Sequence, residues 1–154
     1  MRLDSGVAAI SRSRTIAAPS QAVWSVLADF GALSSWAGNV DHSCLLEHAV
    51  GGVAVGTSRR VQVGRDTLVE RITQFDAPAV LAYDVEGLPK RLRRVSNRWS
   101  LTPAGDSTTI TLTSTVNIGA NPLATLAERA VCRFMAKQSE TMLAGLAARV
   151  EGSP

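Results

Sequence analysis

The chain has 154 residues, 45% of them hydrophobic and 19% charged, with a formal net charge of +3. That length suits one domain, residues 1–154, with a sizeable core, and the mild basic balance is too small to argue for nucleic-acid binding without clustering. No apolar run is long enough to cross a bilayer, and residues 1–6 lack the apolar centre of a signal peptide, so a cytoplasmic protein without a transmembrane segment is expected.

Val7 to Ile16 alternates as a strand does, and Ala17-Ala18-Pro19 ends it. Pro19 suits the first turn of a helix, where its missing N–H leaves nothing unsatisfied. Val23, Trp24, Leu27 and Phe30 then recur at helical spacing, Gly31 is expected to stop that helix, and Ala32 to Trp36 forms a short second one. Val40 to Glu47 reads as a strand. Thr57 to Val63 and Asp66 to Phe75 follow as a pair around Gly64-Arg65, with Gly where a type II′ turn needs it. Asp76-Ala77-Pro78 interrupts the sheet, and Val80 to Glu86 resumes it. Leu92 to Thr102 and Thr108 to Ile118 are longer strands about a Pro103–Asp106 turn. Asn121-Pro122 is a helix start, and the helix runs to about Val150, roughly 28 residues or ~42 Å. The order β-αα-ββββββ-α predicts an α+β domain: an antiparallel sheet of about seven strands and one long C-terminal helix.

Alternation assigns faces. Leu81, Tyr83 and Val85 share one side of their strand; Val95, Asn97, Trp99 and Leu101 share one side of the next; Ile110, Leu112, Ser114 and Val116 share one side of the last. The terminal helix carries a matching apolar stripe that includes Val131, Phe134, Met135, Gln138 and Met142. If the hairpin loop is Gly64-Arg65, Val63 faces Asp66, Val61 faces Leu68, and Arg59 lies opposite Glu70. The register therefore predicts an inward cross-strand ion pair. Such a pair is costly to bury, so it reads either as the polar point of a wet, ligand-facing cavity or as a structural bridge at a half-exposed sheet end. His42 shares a parity with Val40, Cys44 and Leu46 and is expected to join the inner face. Trp24, Trp36 and Trp99 read first as core, with Trp36 the best placed to meet a ligand. Cys44 and Cys132 stand alone, so buried thiols are expected rather than a disulfide or metal site. Lys90, Arg91, Arg93 and Arg94 form the one basic cluster. It reads as a solvated surface, or else as a contact for an acidic partner, without the interleaved aromatics of a single-strand binder.

Several chemistries lack their residues. There is no Gly-rich phosphate loop, HExxH or GxSxG, and His42 and His48 are the only histidines. Neither a metal nor a cofactor is expected, and any catalysis would be acid–base chemistry within a pocket.

The opening run Arg14–Trp24 with Asp29–Trp36, and the later Val69-Glu70-Arg71-Ile72 and Phe75–Tyr83, resemble the START-like (Bet v 1-like) superfamily, which includes polyketide cyclases/dehydrases. The resemblance implies a helix-grip fold, in which the curved sheet wraps the long helix around an apolar cavity. In members such as the plant abscisic-acid receptors, positions matching Glu70, Val95 and Asn97 face that cavity. The receptors' gate lies where this chain has only Gly64-Arg65, which leaves Glu86–Lys90 as the candidate lid. By this resemblance the protein binds a small hydrophobic molecule of lipid, polyketide or quinone class, as a monomer or homodimer, with no nucleic acid. Trp36, His42, Arg59, Glu70, Tyr83, Val95, Asn97, Trp99, Phe134, Met135 and Gln138 would form the ligand site. The alternative is a cyclase/dehydratase in which Glu70 is the base, Arg59 holds an enolate or carboxylate, and Tyr83 donates a proton. A third reading gives the function to the basic cluster, Lys90 to Arg94.

Overall fold

The structure, a computed structural model, describes residues 2–3, 7–88, 94–117 and 124–152. Eight strands form one antiparallel sheet: β1 (Arg2–Leu3), β2 (Val7–Ile16), β3 (His42–Glu47), β4 (Ser58–Val63), β5 (Asp66–Asp76), β6 (Val80–Glu86), β7 (Arg94–Ala104) and β8 (Ser107–Asn117). Their order is β1-β2-β8-β7-β6-β5-β4-β3. The last five strands are a meander of adjacent antiparallel neighbours, and β2 closes onto β8. Two helices complete the chain, α1 (Ser20–Ala28) and α2 (Ala124–Glu151), with a 3-10 segment at Phe30–Ser35. The two-residue β1, on the far edge, is the one strand beyond the seven expected. Among the described residues no helix is long and apolar enough to cross a membrane. The expected Asn121-Pro122 helix start, and Lys90, Arg91 and Arg93 of the basic cluster, lie outside the described residues.

The β4–β5 hairpin has the expected register: Val63 opposes Asp66, Val61 opposes Leu68, and Arg59 opposes Glu70. Gly64 has φ +59°, while among the described residues no non-glycine residue has a positive φ, so Arg65 does not. That combination fits a type II′ turn and excludes type I′, which needs positive φ at both positions. Farther along β5 the pairing with β6 shifts between Ile72 and Gln74. The extra residue reverses the side-chain parity, so Glu70 and Ile72 point inward and Phe75, at odd spacing, can still pack on Trp24 with ring centroids 5.2 Å apart.

Three expectations fail for local reasons. The helix α1 ends at Ala28, and the 3-10 segment includes Gly31 and kinks one residue later, at Ala32. Gly31 serves close packing rather than termination: a Cβ there would sit 2.9 Å from Leu45 Cγ. The third strand begins at His42, because Val40 belongs to a turn whose N–H donates to Ala37 O at 3.1 Å. Ser43 and Leu45 lie opposite Val61 and Arg59, so they take the inner face and His42 and Cys44 the outer. His42 is exposed as a result, and so is Cys44, while Cys132 is half-buried, so neither thiol is the buried one expected.

The core divides in two. The larger cluster joins α1, the 3-10 segment and the C-terminal half of α2 to the sheet, with Trp24, Phe30, Ile72, Trp99 and Leu146 buried. A smaller cluster of Ala8, Val95 and Val116 packs under Val131 and Met135 of the N-terminal half of α2. Helix α2 is pressed onto the end of the 3-10 segment at Gly145, where a Cβ would run into the Trp36 carbonyl oxygen. Its far end is tied down where Ala17 N donates to Glu151 Oε2 at 2.9 Å.

Candidate functional site

A cavity of about 390 Å³ lies where the two clusters part, between the sheet and α2. Each strand of the meander contributes through its inward parity: Val61 and Val63 from β4, Leu68 and Glu70 from β5, Val85 from β6, Val95 and Asn97 from β7, and Leu112, Ser114 and Val116 from β8. Val131, Phe134, Met135 and Gln138 of α2 form the roof. Phe134 is 61% exposed, and Asp66 at the hairpin tip is also exposed, so these lining residues mark where the cavity meets solvent. The volume falls within the range of about 300–1,000 Å³ usual for small-molecule sites.

Glu70 is the charged group on the inner wall, 6% exposed, and its position is heavily determined. Arg59 Nε donates to Glu70 Oε1 at 2.7 Å, and Arg59 Nη2 reaches the same oxygen at 2.7 Å. Arg59 Nη1 donates to Phe30 O at 2.9 Å. The guanidinium carbon lies 3.7 Å from the Phe30 ring centre and 4.8 Å from that of Tyr83, so the cation is held between two aromatic faces. A buried ion pair survives only when both ions are well hydrogen-bonded, and here the backbone carbonyl and the rings supply what water would.

Tyr83 is fully buried behind this pair. Trp99 Nε1 donates to its hydroxyl at 3.2 Å. Burial first, and the nearby Glu70 carboxylate second, push its phenol up to about 12; Arg59 and hydrogen bonds from Trp99 and Asn97 oppose the rise. The phenol therefore holds its proton tightly and faces the core.

A second polar group stands at the join of the sheet and α2. Asn39 Nδ2 donates to Gln138 Oε1 at 2.5 Å. Asn39 Oδ1 is buried with no hydrogen-bond partner among the described residues. Ser114 Oγ donates to Asn97 Oδ1 at 2.5 Å, so that pair is satisfied within the wall.

Of the residues expected at the site, Glu70, Val95, Asn97, Phe134, Met135 and Gln138 line the cavity. Arg59, Tyr83, Trp36 and Trp99 do not. Arg59 and Tyr83 stand behind Glu70, and the two tryptophans pack edge to face at 6.0 Å within the core. His42 is on the outer face, for the register reason above. Arg59 and Tyr83, the anion holder and proton donor of the cyclase reading, are thus not among the residues that line the cavity. Asn39, Asp66 and Ser139 line the cavity without having been singled out from the sequence. Asn39 sits in the turn before β3, where strand parity gives no reading. Of the basic cluster, Arg94 is exposed and pairs with Asp84 Oδ2 at 3.1 Å.

A long helix gripped by a curved antiparallel sheet, with a largely apolar cavity between them, is the helix-grip fold. The chain belongs to the polyketide cyclase / dehydrase and lipid transport family, whose model matches residues 7–151. Solved structures share the fold. The Zhui aromatase/cyclase from Streptomyces sp. R1128 is 21% identical over 94% of both chains, with a TM-score of 0.77. A START superfamily protein from Mycobacterium smegmatis is 18% identical over 94% of this chain and 97% of its own, also at 0.77. Ara h 8.0201 is 17% identical over 96% of this chain and 100% of its own, at 0.75. No curated protein sequence matches the chain.

Proposed function

We propose that the protein binds a small apolar or amphipathic molecule in the cavity beneath the N-terminal half of α2, with Glu70 meeting its polar end. One observation carries this reading. The cavity wall is aliphatic apart from a few fixed polar groups, and its one deeply buried charge is locked by a cation that is itself withdrawn from the cavity. Such a site orients a ligand; it offers little machinery for moving protons. The family description admits both cyclase/dehydrase and lipid-transport members. The placement of Arg59 and Tyr83 favours binding over cyclisation, because only Glu70 of the three imagined acid–base groups reaches the ligand space.

The test is to purify the protein under native conditions, extract it with organic solvent, and identify what is released by mass spectrometry. A stoichiometric apolar compound, or a thermal shift with members of an apolar ligand panel, is the expected result. A protein that releases nothing and is shifted by no member of the panel contradicts the proposal.

A further inference from the structure

We propose that the N-terminal half of α2 docks the cavity mouth on an anionic membrane surface. This goes beyond the binding reading above, because the surface is made of exposed side chains and does not depend on what fills the cavity. Arg129, Arg133 and Lys137 recur four residues apart, so they form one stripe along the helix, and all three are exposed. Among the described residues none of the three meets a carboxylate, whereas Arg12, Arg59, Arg71 and Arg94 each do. Glu140, the next carboxylate along α2, is already held by Arg12 at 3.3 Å. On the hairpin tip that also lines the mouth, exposed Arg65 and Asp66 offset each other in charge.

Phe134 stands beside this stripe, next to Arg133 in the chain and one turn from Lys137. It is 61% exposed and lines the mouth together with Ala130. A single exposed aromatic means little by itself. This one lies at the opening of an apolar space and among cations that nothing neutralises. The other exposed large apolar side chains, Leu45, Leu46, Val50 and Val55, lie on β3 or the segment after it. An acidic protein would satisfy the cations alone. A bilayer satisfies both features, because anionic headgroups take the cations while the acyl boundary takes the ring. Docked in this way the mouth opens toward hydrocarbon, and an apolar ligand enters or leaves without crossing water.

The test is co-sedimentation of the full chain with phosphatidylcholine vesicles made with and without phosphatidylglycerol, at low and high salt. Binding is expected only to the anionic vesicles, and salt should weaken it. Each Lys or Arg near such a surface strengthens partitioning by roughly fivefold, so Arg133→Glu should weaken it by at least that factor. Phe134→Ser should weaken it by roughly tenfold. Arg98→Glu, the same charge change on the outer face of β7, is the control and should weaken it less. Urea midpoints equal to wild type show that the variants are folded; if Phe134→Ser is not, Phe134→Ala takes its place. Equal binding to both kinds of vesicle, no binding to either, or an Arg98→Glu loss as large as that of Arg133→Glu overturns the inference. Binding to polyglutamate without binding to vesicles also overturns it, and assigns the stripe to an acidic protein. No ligand is added in this assay, so its failure leaves the binding reading intact.

Discussion

At the residue scale the decisive arrangement is Arg59 between two rings and a carboxylate. The cation spends its hydrogen bonds on Glu70 and on the carbonyl of Phe30, so the charge that reaches the cavity is the carboxylate alone. Tyr83, the chain's single tyrosine, reports on the same region. Its folded pKa, raised from 10.0 to about 12, exceeds its unfolded value, so the native state retains a proton that the unfolded chain releases. The stability this confers is complete below pH 10 and is lost as pH rises from there toward about 12. Phenolate absorbance in the ultraviolet measures it without interference from other tyrosines. The expected result is ionisation near pH 10 in urea, and in the native protein either none until about pH 12 or ionisation coincident with unfolding. A native, folded protein whose phenol ionises at pH 10 contradicts this placement of Tyr83.

At the element scale α2 has two jobs in series. Its C-terminal half is a packed core element: Met142, Leu143, Leu146 and Ala147 are buried. Its N-terminal half roofs the cavity and presents Phe134 at the rim. Gly145 sets the depth at which the helix sits, since the Trp36 carbonyl occupies the space of its Cβ. Alanine would gain about 1 kcal/mol in helix propensity. The clash, though, is with backbone rather than a flexible side chain, so α2 must lift, at a cost of roughly 1–3 kcal/mol or more. Gly145→Ala should therefore lower the urea midpoint, and a midpoint equal to or above wild type would show that the contact yields freely. The hairpin register was readable in advance because one glycine at a two-residue turn fixes every opposing pair, Arg59 with Glu70 included. The face of β3 was not, because its parity depends on where a turn ends, at Ala37–Val40, and no periodicity marks that point. The same turn hid Asn39, and the 3-10 segment misled the reading of Gly31, whose role is a tertiary contact with Leu45 that lies outside its local sequence.

At the scale of the whole molecule the sheet and α2 could close on a solid core, and instead close on two clusters with space between them. The order of elements made the container legible across nearly the whole chain: an alternating sheet, a Pro-started helix and a long amphipathic terminal helix leave few other arrangements. The occupant was less legible. Alternation assigns a side chain to a face, but whether a residue on that face meets ligand or core depends on where the two clusters separate, which is why Trp99 and Tyr83 fell on the core side and Asn97 on the cavity side. The account's central claim is that this space is the binding site. The most direct test is to fill it with Val85→Phe, a lining residue on β6, and to record the ligand-induced thermal shift against wild type. The account predicts an empty protein at least as stable as wild type, because the added ring occupies void rather than displacing packed atoms, together with loss of the shift. A Val85→Phe protein that is folded and still fully shifted by the wild-type ligand would place binding elsewhere and contradict it.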